Sequence, residues 1–291
     1  MTRIIIIGCG DIGRRVARLE QSAGNVVTAL TRSEESARRL RALGIEPISG
    51  DLDVPNTLTK LPAEDAWIYY FAPPPDHGIT DPRLQAVVAN LKKENLPARA
   101  VLISTTGVYG DCRGEWVTEE RPPNPQADRA KRRLAAETIL RSWSEKNNVT
   151  SVILRVPGIY GPDRLPEKRL RAGEPVVRAE ESPFSNRIHA DDLARACMAA
   201  MRRGRAGAIY NVSDGHPTTM TDFFYGVADL LKIARPPAIS LQAAQQRLGA
   251  DILSYLAESK RIDNRRLREE LGIELKYPDL ASGLAACVKK F

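Results

Sequence analysis

The chain has 291 residues, 43% hydrophobic and 27% charged, with 43 Lys and Arg against 36 Asp and Glu for a net charge of +7. That length buries a sizeable α/β core, as one unit or as a main domain with a smaller partner, and no apolar run approaches a membrane span. Four scattered cysteines (Cys9, Cys112, Cys197, Cys287) and three dispersed histidines argue against a disulfide framework, a zinc site or any metal cluster.

The N-terminus reads as a strand rather than a signal peptide, so the expectation is a cytoplasmic protein. Ile4-Ile5-Ile6-Ile7 is a β-branched run suited to a strand buried on both faces. It ends in Gly8-x-Gly10-x-x-Gly13, and apolar spacing through Val16, Leu19 and Ala23 predicts a helix after it. Strand, glycine turn and helix together are the context of a dinucleotide fingerprint. Gly8 would make the tight turn, Gly10 would let backbone approach a pyrophosphate, and Gly13 would let the helix lie close to the strand. Free N–H groups of Asp11, Ile12 and Gly13 would then face the phosphates.

Residues 25–30 read as a second strand, followed by Thr31-Arg32-Ser33. An acidic residue near this position favours NAD, whereas an arginine accommodates the extra phosphate of NADP. Here Arg32 and small hydroxyls stand at the tip, with no carboxylate before Glu34, which points to NADP rather than NAD; Arg14 and Arg38 are candidate helpers. Ser33 is suited to cap a helix running to Leu43. Residues 45–49 make a third strand, and Asp51 at its exit either reaches an adenine amino group or caps its own turn. Residues 66–71 form a fourth strand, running into the stiff Pro73-Pro74-Pro75. Asp81-Pro82 opens a helix to about Asn95. A fifth strand covers 100–104, a long helix about 127–146, and a sixth strand 150–155. This alternation predicts an α/β fold, a doubly wound parallel sheet of Rossmann type with a smaller α-rich C-terminal region covering the substrate.

Past Pro157 the pattern loosens. Residues 165–172 read as a short helix, 175–185 as a polar segment suited to a mobile lid, and 208–212 as one more strand. Helices over 220–231, 241–248 and 262–271 complete the chain. The division expected is a Rossmann domain over 1–156, with 186–213 returning to it, and a substrate region made of 157–185 and 214–291. Arginine-rich runs at 38–41, 131–133, 202–205 and 265–268 fall on helices, and no aromatic residues interleave them. They read as solvated helix faces rather than a nucleic-acid platform, and the positive charge suits an anionic small-molecule substrate.

These residues resemble the extended short-chain dehydrogenase/reductases of the nucleotide-sugar epimerase/dehydratase type. The matching landmarks are Gly8 to Gly13, Gly50-Asp51-Leu52, Ser104 to Gly110, Leu154-Arg155 with Tyr160-Gly161-Pro162, Ile188 to Ala194, and Asn211 to Asp214. The resemblance implies a cofactor site lined by the glycine turn, Arg32, Ser33, Asp51, Leu52, Phe71, Ala72, Pro73, Ser104 and Pro157, with Gly158 and Ile159 near the nicotinamide. That family pairs hydride transfer with a proton-transferring tyrosine in Y-x-x-x-K. Aligned on Leu134-Ala135-Ala136-Glu137, this chain has Arg129 at the tyrosine position and Arg133 at the lysine position, and no tyrosine in it is followed by lysine four residues on. Arginine stays protonated at neutral pH and cannot be the base.

Thr105 takes the family's Ser/Thr position, where a hydroxyl bonds the reacting oxygen or else satisfies the strand end. Tyr109, Asp128 and Tyr160 are the candidate replacement acids or bases. Arg129 and Arg133 could bind an anionic group and the ribose. Arg187 is the candidate for gripping an anionic substrate, and His189 reads as a structural hydrogen-bonder. Two functions stay open: an NADP-dependent oxidoreductase, epimerase or dehydratase on an anionic or nucleotide-linked metabolite, or a non-catalytic NAD(P)-binding sensor. The chain could be a monomer or a homodimer.

Overall fold

Ile4, Ile5, Ile6 and Ile7 are completely buried at the centre of a seven-stranded parallel sheet in the computed structural model, which describes residues 1–287. Alternation divides them between two faces. Ile4 and Ile6 join one hydrophobic cluster with Val16, Leu193 and Leu267, while Ile5 and Ile7 join the other with Leu84, Ala136 and Leu140. A strand covered on both sides needs apolar residues at every position, which explains the unbroken isoleucine run.

The first half is β1 (Arg3–Ile7), α1 (Asp11–Ser22), β2 (Val26–Thr31), α2 (Glu34–Arg41), β3 (Glu46–Ser49), β4 (Trp67–Tyr70), α3 (Pro82–Asn90), β5 (Arg99–Thr105), β6 (Trp116–Val117) and α4 (Asp128–Asn147). The second half is β7 (Thr150–Val156), β8 (Gly158–Tyr160), α5 (Glu167–Arg171), β9 (Val176–Val177), β10 (Phe184–Ser185), β11 (Arg187–His189), α6 (Ala190–Arg203), β12 (Ile209–Asn211), β13 (Thr218–Thr219), α7 (Met220–Leu230), β14 (Ala238–Ile239), α8 (Leu241–Arg247), α9 (Ala250–Leu256), β15 (Arg261–Ile262), α10 (Arg265–Leu271) and α11 (Leu280–Ala285). The sheet runs β12-β7-β5-β4-β1-β2-β3, the Rossmann order. Strand order reverses between β1 and β4, so a crevice opens at their carboxyl ends, beside Gly8 and Ala72.

Several elements differ from the sequence expectations. The helix after Asp81 stops at Asn90 and is followed by a separate 3-10 turn at Lys93–Asn95. Ile262 belongs not to a helix but to β15, which pairs in parallel with β6, and α10 begins at Arg265. The segment expected as a loose lid is stitched down, β9 to β14 and β10 to β13. Strands of two residues carry no readable period, which is why the sequence hides them. Tyr160, Leu170, Phe223, Phe224, Val227 and Leu284 form a separate apolar cluster beside the sheet. Among the described residues, no helix is long and apolar enough to cross a membrane.

Candidate active site

The turn between β1 and α1 leaves no room for a side chain at its first and last glycines. Gly8 has φ +95°, and a Cβ there would lie 2.4 Å from the backbone nitrogen of Ala72. Gly8 also packs where the N–H groups of Phe71 and Ala72 both donate to the Ile7 carbonyl, at 2.7 and 3.0 Å. A Cβ on Gly13 would meet the Gly8 carbonyl at 2.9 Å, whereas one on Gly10 would meet nothing within 4 Å. Gly8 and Gly13 thus hold helix to strand, and Gly10 keeps one side of the turn open. Gly10 is the N-cap of α1 and brings no side chain to cap it. The first-turn N–H groups of a helix lack intrahelical acceptors, so this N-terminus offers donors and a positive dipole end to an anion. The cradle fits the diphosphate of a dinucleotide.

At the other end of the crevice Arg32 is exposed beyond β2, and Ser33 caps α2 by accepting from the Ser36 N–H at 3.2 Å. Asp51 accepts from the Asp53 N–H at 3.0 Å, so at least one of its oxygens caps its own turn. Asp53 is gripped by Arg83 through bonds of 2.7 and 2.6 Å, and Arg83 also donates to the Pro73 carbonyl at 3.1 Å. Those bonds, above all, hold the Asp53 carboxyl below its usual range. With Asp53 and Arg83 paired to each other, Arg32 is the cation that this pair leaves exposed at the rim. Arg83 was not legible in the sequence, since it lies 30 residues from its partner.

Leu52 packs half-buried against the cluster behind β3, and Phe71 lies half-buried with its ring 5.5 Å from that of Tyr69. Pro73 is exposed beside the turn, and Pro157 is half-buried after β7. Thr105, ending β5, accepts from the Gly107 N–H at 3.1 Å. Arg133 reaches from α4 to the carboxyl ends of β4 and β5, donating to the carbonyls of Ala72 and Ile103 at 3.2 Å each. Burial lowers its pKa.

Arg129 instead crosses to α9. It donates to Ser254 Oγ at 2.7 Å and stacks on the Tyr255 ring at 4.1 Å. Arg187 packs on the Phe223 ring at 4.2 Å, and burial lowers its pKa to about 10. Asp214, 4% exposed, lies close enough for the two charges to interact, and burial pushes its carboxyl up to about 7.

Two expected site residues turn inward. Ser104 is buried and its hydroxyl donates to Glu137, which also accepts two bonds from Arg155. Tyr109, 1% exposed, donates to Asn211 at 2.8 Å beneath the Arg155 guanidinium, and burial pushes its phenol up to about 12. Both serve a buried polar network under the end of β5. The other candidate acids and bases are also occupied. Tyr160 is buried and donates to the Asp279 carbonyl at 3.3 Å, and Asp128 is exposed and paired with Lys131 at 2.9 Å. His189 caps α6, its Nδ1 accepting from the Asp191 N–H at 3.2 Å. A concavity of about 580 Å³ opens on the loop after β5, lined by Tyr109, Asp111, Trp116, Glu120 and Arg121 rather than by the glycine turn.

Comparison with known proteins places this geometry among relatives. The model of the NAD dependent epimerase/dehydratase family matches residues 4–213, well over half of the chain. Protein YeeZ of Escherichia coli K12 is 29% identical, covering 96% of this chain and 97% of its own. A conserved protein of unknown function from Silicibacter pomeroyi superposes with a TM-score of 0.82 at 29% identity, over 99% of this chain and 98% of its own. The dTDP-glucose 4,6-dehydratase of Bacillus anthracis, solved in complex with NAD, superposes with a TM-score of 0.78 over 98% and 94% of the two chains. At 18% identity, that last likeness is one of fold.

Proposed function

The chain belongs to the NAD dependent epimerase/dehydratase family, and from that premise we propose that it is an oxidoreductase of the epimerase/dehydratase type. In this reading it binds NADP in preference to NAD and acts on an anionic, nucleotide-linked metabolite. The observation that carries the reading is the Gly8–Gly13 turn, where a Cβ would strike backbone at two glycines and space stays open at the third. The exposed Arg32, beside a carboxylate already gripped by Arg83, supports NADP. The dinucleotide, when bound, supplies the hydride acceptor or donor. Arg133 ties the ends of β4 and β5 beside the crevice, and the Thr105 hydroxyl holds the reacting oxygen. Arg187 meets the anionic group of the substrate. We assign no proton transfer to Tyr109, Tyr160 or Asp128, whose polar atoms are already engaged.

One observation favours a second reading, a non-catalytic sensor of the cofactor. The residue at the family's tyrosine position, Arg129, is held by α9. Calorimetric titration with NAD, NADH, NADP and NADPH, followed by a panel of sugar nucleotides, separates the two. The enzyme reading expects turnover, and Thr105→Val lowering kcat on the order of a hundredfold. Binding without turnover across the panel favours the sensor, and no binding of any form ends both. Arg32→Ala should weaken NADP by about tenfold while leaving NAD nearly unchanged; equal losses would remove the NADP assignment.

A further inference from the structure

Asp11 is an unusual residue to find where a diphosphate is expected. It is the first residue of α1, directly after the N-cap Gly10, and it places a carboxylate at the lip of the cradle. A helix N-terminus favours one anion, but a dinucleotide brings two more negative charges to the same spot. Unless cations offset Asp11, it would repel the ligand the turn is shaped to hold.

Two arginines meet it. Arg15 Nε donates to Oδ1 at 3.0 Å from one helical turn away, but Arg15 is shared, since its Nη1 also donates to Asp191 in the first turn of α6. Arg164 Nη1 donates to Oδ2 at 3.0 Å across 153 residues of sequence. Its turn leaves β8 through Gly161, whose carbonyl accepts from the Arg164 N–H at 3.1 Å, and through Asp163 with φ +65°. The Arg164 and Asp11 side chains are 34% and 29% exposed, so the pair remains open to a ligand.

We propose that Arg164 is a cofactor-binding residue. The turn at 161–164 holds its guanidinium across the diphosphate of the dinucleotide, where it neutralises Asp11 and ties the glycine turn to the segment following β8. This rests on the cofactor reading above and adds a residue to it. Guanidinium suits the task, since its fork of donors can serve a carboxylate and a phosphate oxygen together. The diphosphate is common to NAD and NADP, so Arg164 affects both alike, unlike Arg32.

The test is calorimetric titration of ADP-ribose, which carries the diphosphate without nicotinamide, and of adenosine, which lacks it. The proteins are the wild type, Arg164→Ala, Asp11→Asn and the double variant. Arg164→Ala should weaken ADP-ribose about tenfold, less at high salt, and leave adenosine unchanged. In the Asp11→Asn background the same change should cost less than about threefold, because the charge needing neutralisation is gone. Hydrogen exchange gives a second readout: ADP-ribose should slow amides at 158–165 in the wild type and not in Arg164→Ala. An unaltered ADP-ribose affinity in Arg164→Ala, or an equal loss for adenosine, overturns the role of Arg164 alone, and an equal loss in both backgrounds overturns its action through Asp11. A wild-type protein that binds neither ADP-ribose nor a pyridine nucleotide overturns the cofactor reading, and this proposal with it.

Discussion

Asp214 and Arg187 show how single residues are tuned by where the chain buries them. Oδ2 of Asp214 and Nε of Arg187 are both buried without a hydrogen-bond partner among the described residues. Burial pushes the Asp214 carboxyl from an ordinary 3.8 to about 7. Between those values the folded chain keeps a proton that the unfolded chain has released, so raising the pH through this window favours unfolding. The penalty is absent below the unfolded value and complete above about 7. Asp214→Asn should therefore add on the order of 2 kcal/mol of stability at pH 8 and almost none at pH 3.5. Urea denaturation at the two pH values measures it, and the same change at both would refute the burial argument. The substitution keeps an oxygen for the His216 N–H, which Asp214 now accepts at 3.0 Å.

Elements are held in register by a buried polar chain that the landmarks mark only in fragments. Glu137 on α4 accepts from Ser104 on β5 and from Arg155 on β7, with the closest Arg155 bond at 2.7 Å. Arg155 in turn lies over the Tyr109 ring, whose hydroxyl reaches Asn211 on β12. Three neighbouring strand ends and the helix over them are thereby tied beneath Thr105. Removing one partner leaves a buried charge without its counter-ion, which typically costs about 3–5 kcal/mol. Glu137→Gln should lower the urea midpoint accordingly with its m-value unchanged, and a loss under about 1 kcal/mol would show that the pair is dispensable. In the sequence, Glu137 and Arg155 are visible only as members of two separate motifs. Their pairing depends on α4 crossing the sheet.

Across the whole molecule, the later part of the chain is fastened to the sheet domain by separate straps. β15 pairs with β6, Ser259 accepts from the N–H groups of Cys112 and Gly114 at 3.1 and 2.9 Å, and Arg129 reaches Ser254 and Tyr255 on α9. Arg129 is the strap between α4 and α9, so Arg129→Ala should loosen α8 and α9 while the sheet stays protected. Hydrogen exchange should rise selectively over 241–256. Uniform acceleration, or none, would mean that Arg129 does not hold the helix. In the enzyme reading, the same variant raises KM more than it lowers kcat, because α9 would cover substrate rather than react with it.

What the sequence determined by itself were the features set by local chemistry. Four β-branched residues in succession demand a strand buried on both faces, and Gly8, Gly10 and Gly13 are spaced for a tight turn into a helix. Ser33 and Asp81 cap the helices that follow them. The absence of Tyr-x-x-x-Lys is likewise a statement about sequence, and it needs no coordinates. Tertiary structure alone decided where the long-range charges met: Arg83 on Asp53, Arg155 on Glu137, Arg129 on α9 and Arg164 on Asp11. It also turned Ser104 and Tyr109 inward and pinned the segment expected to be a lid. Such partners lie from 18 to 153 residues apart, and an arginine's long side chain gives no local sign of which group it will reach. Only the packing of helices and strands on the sheet brings one within bonding distance.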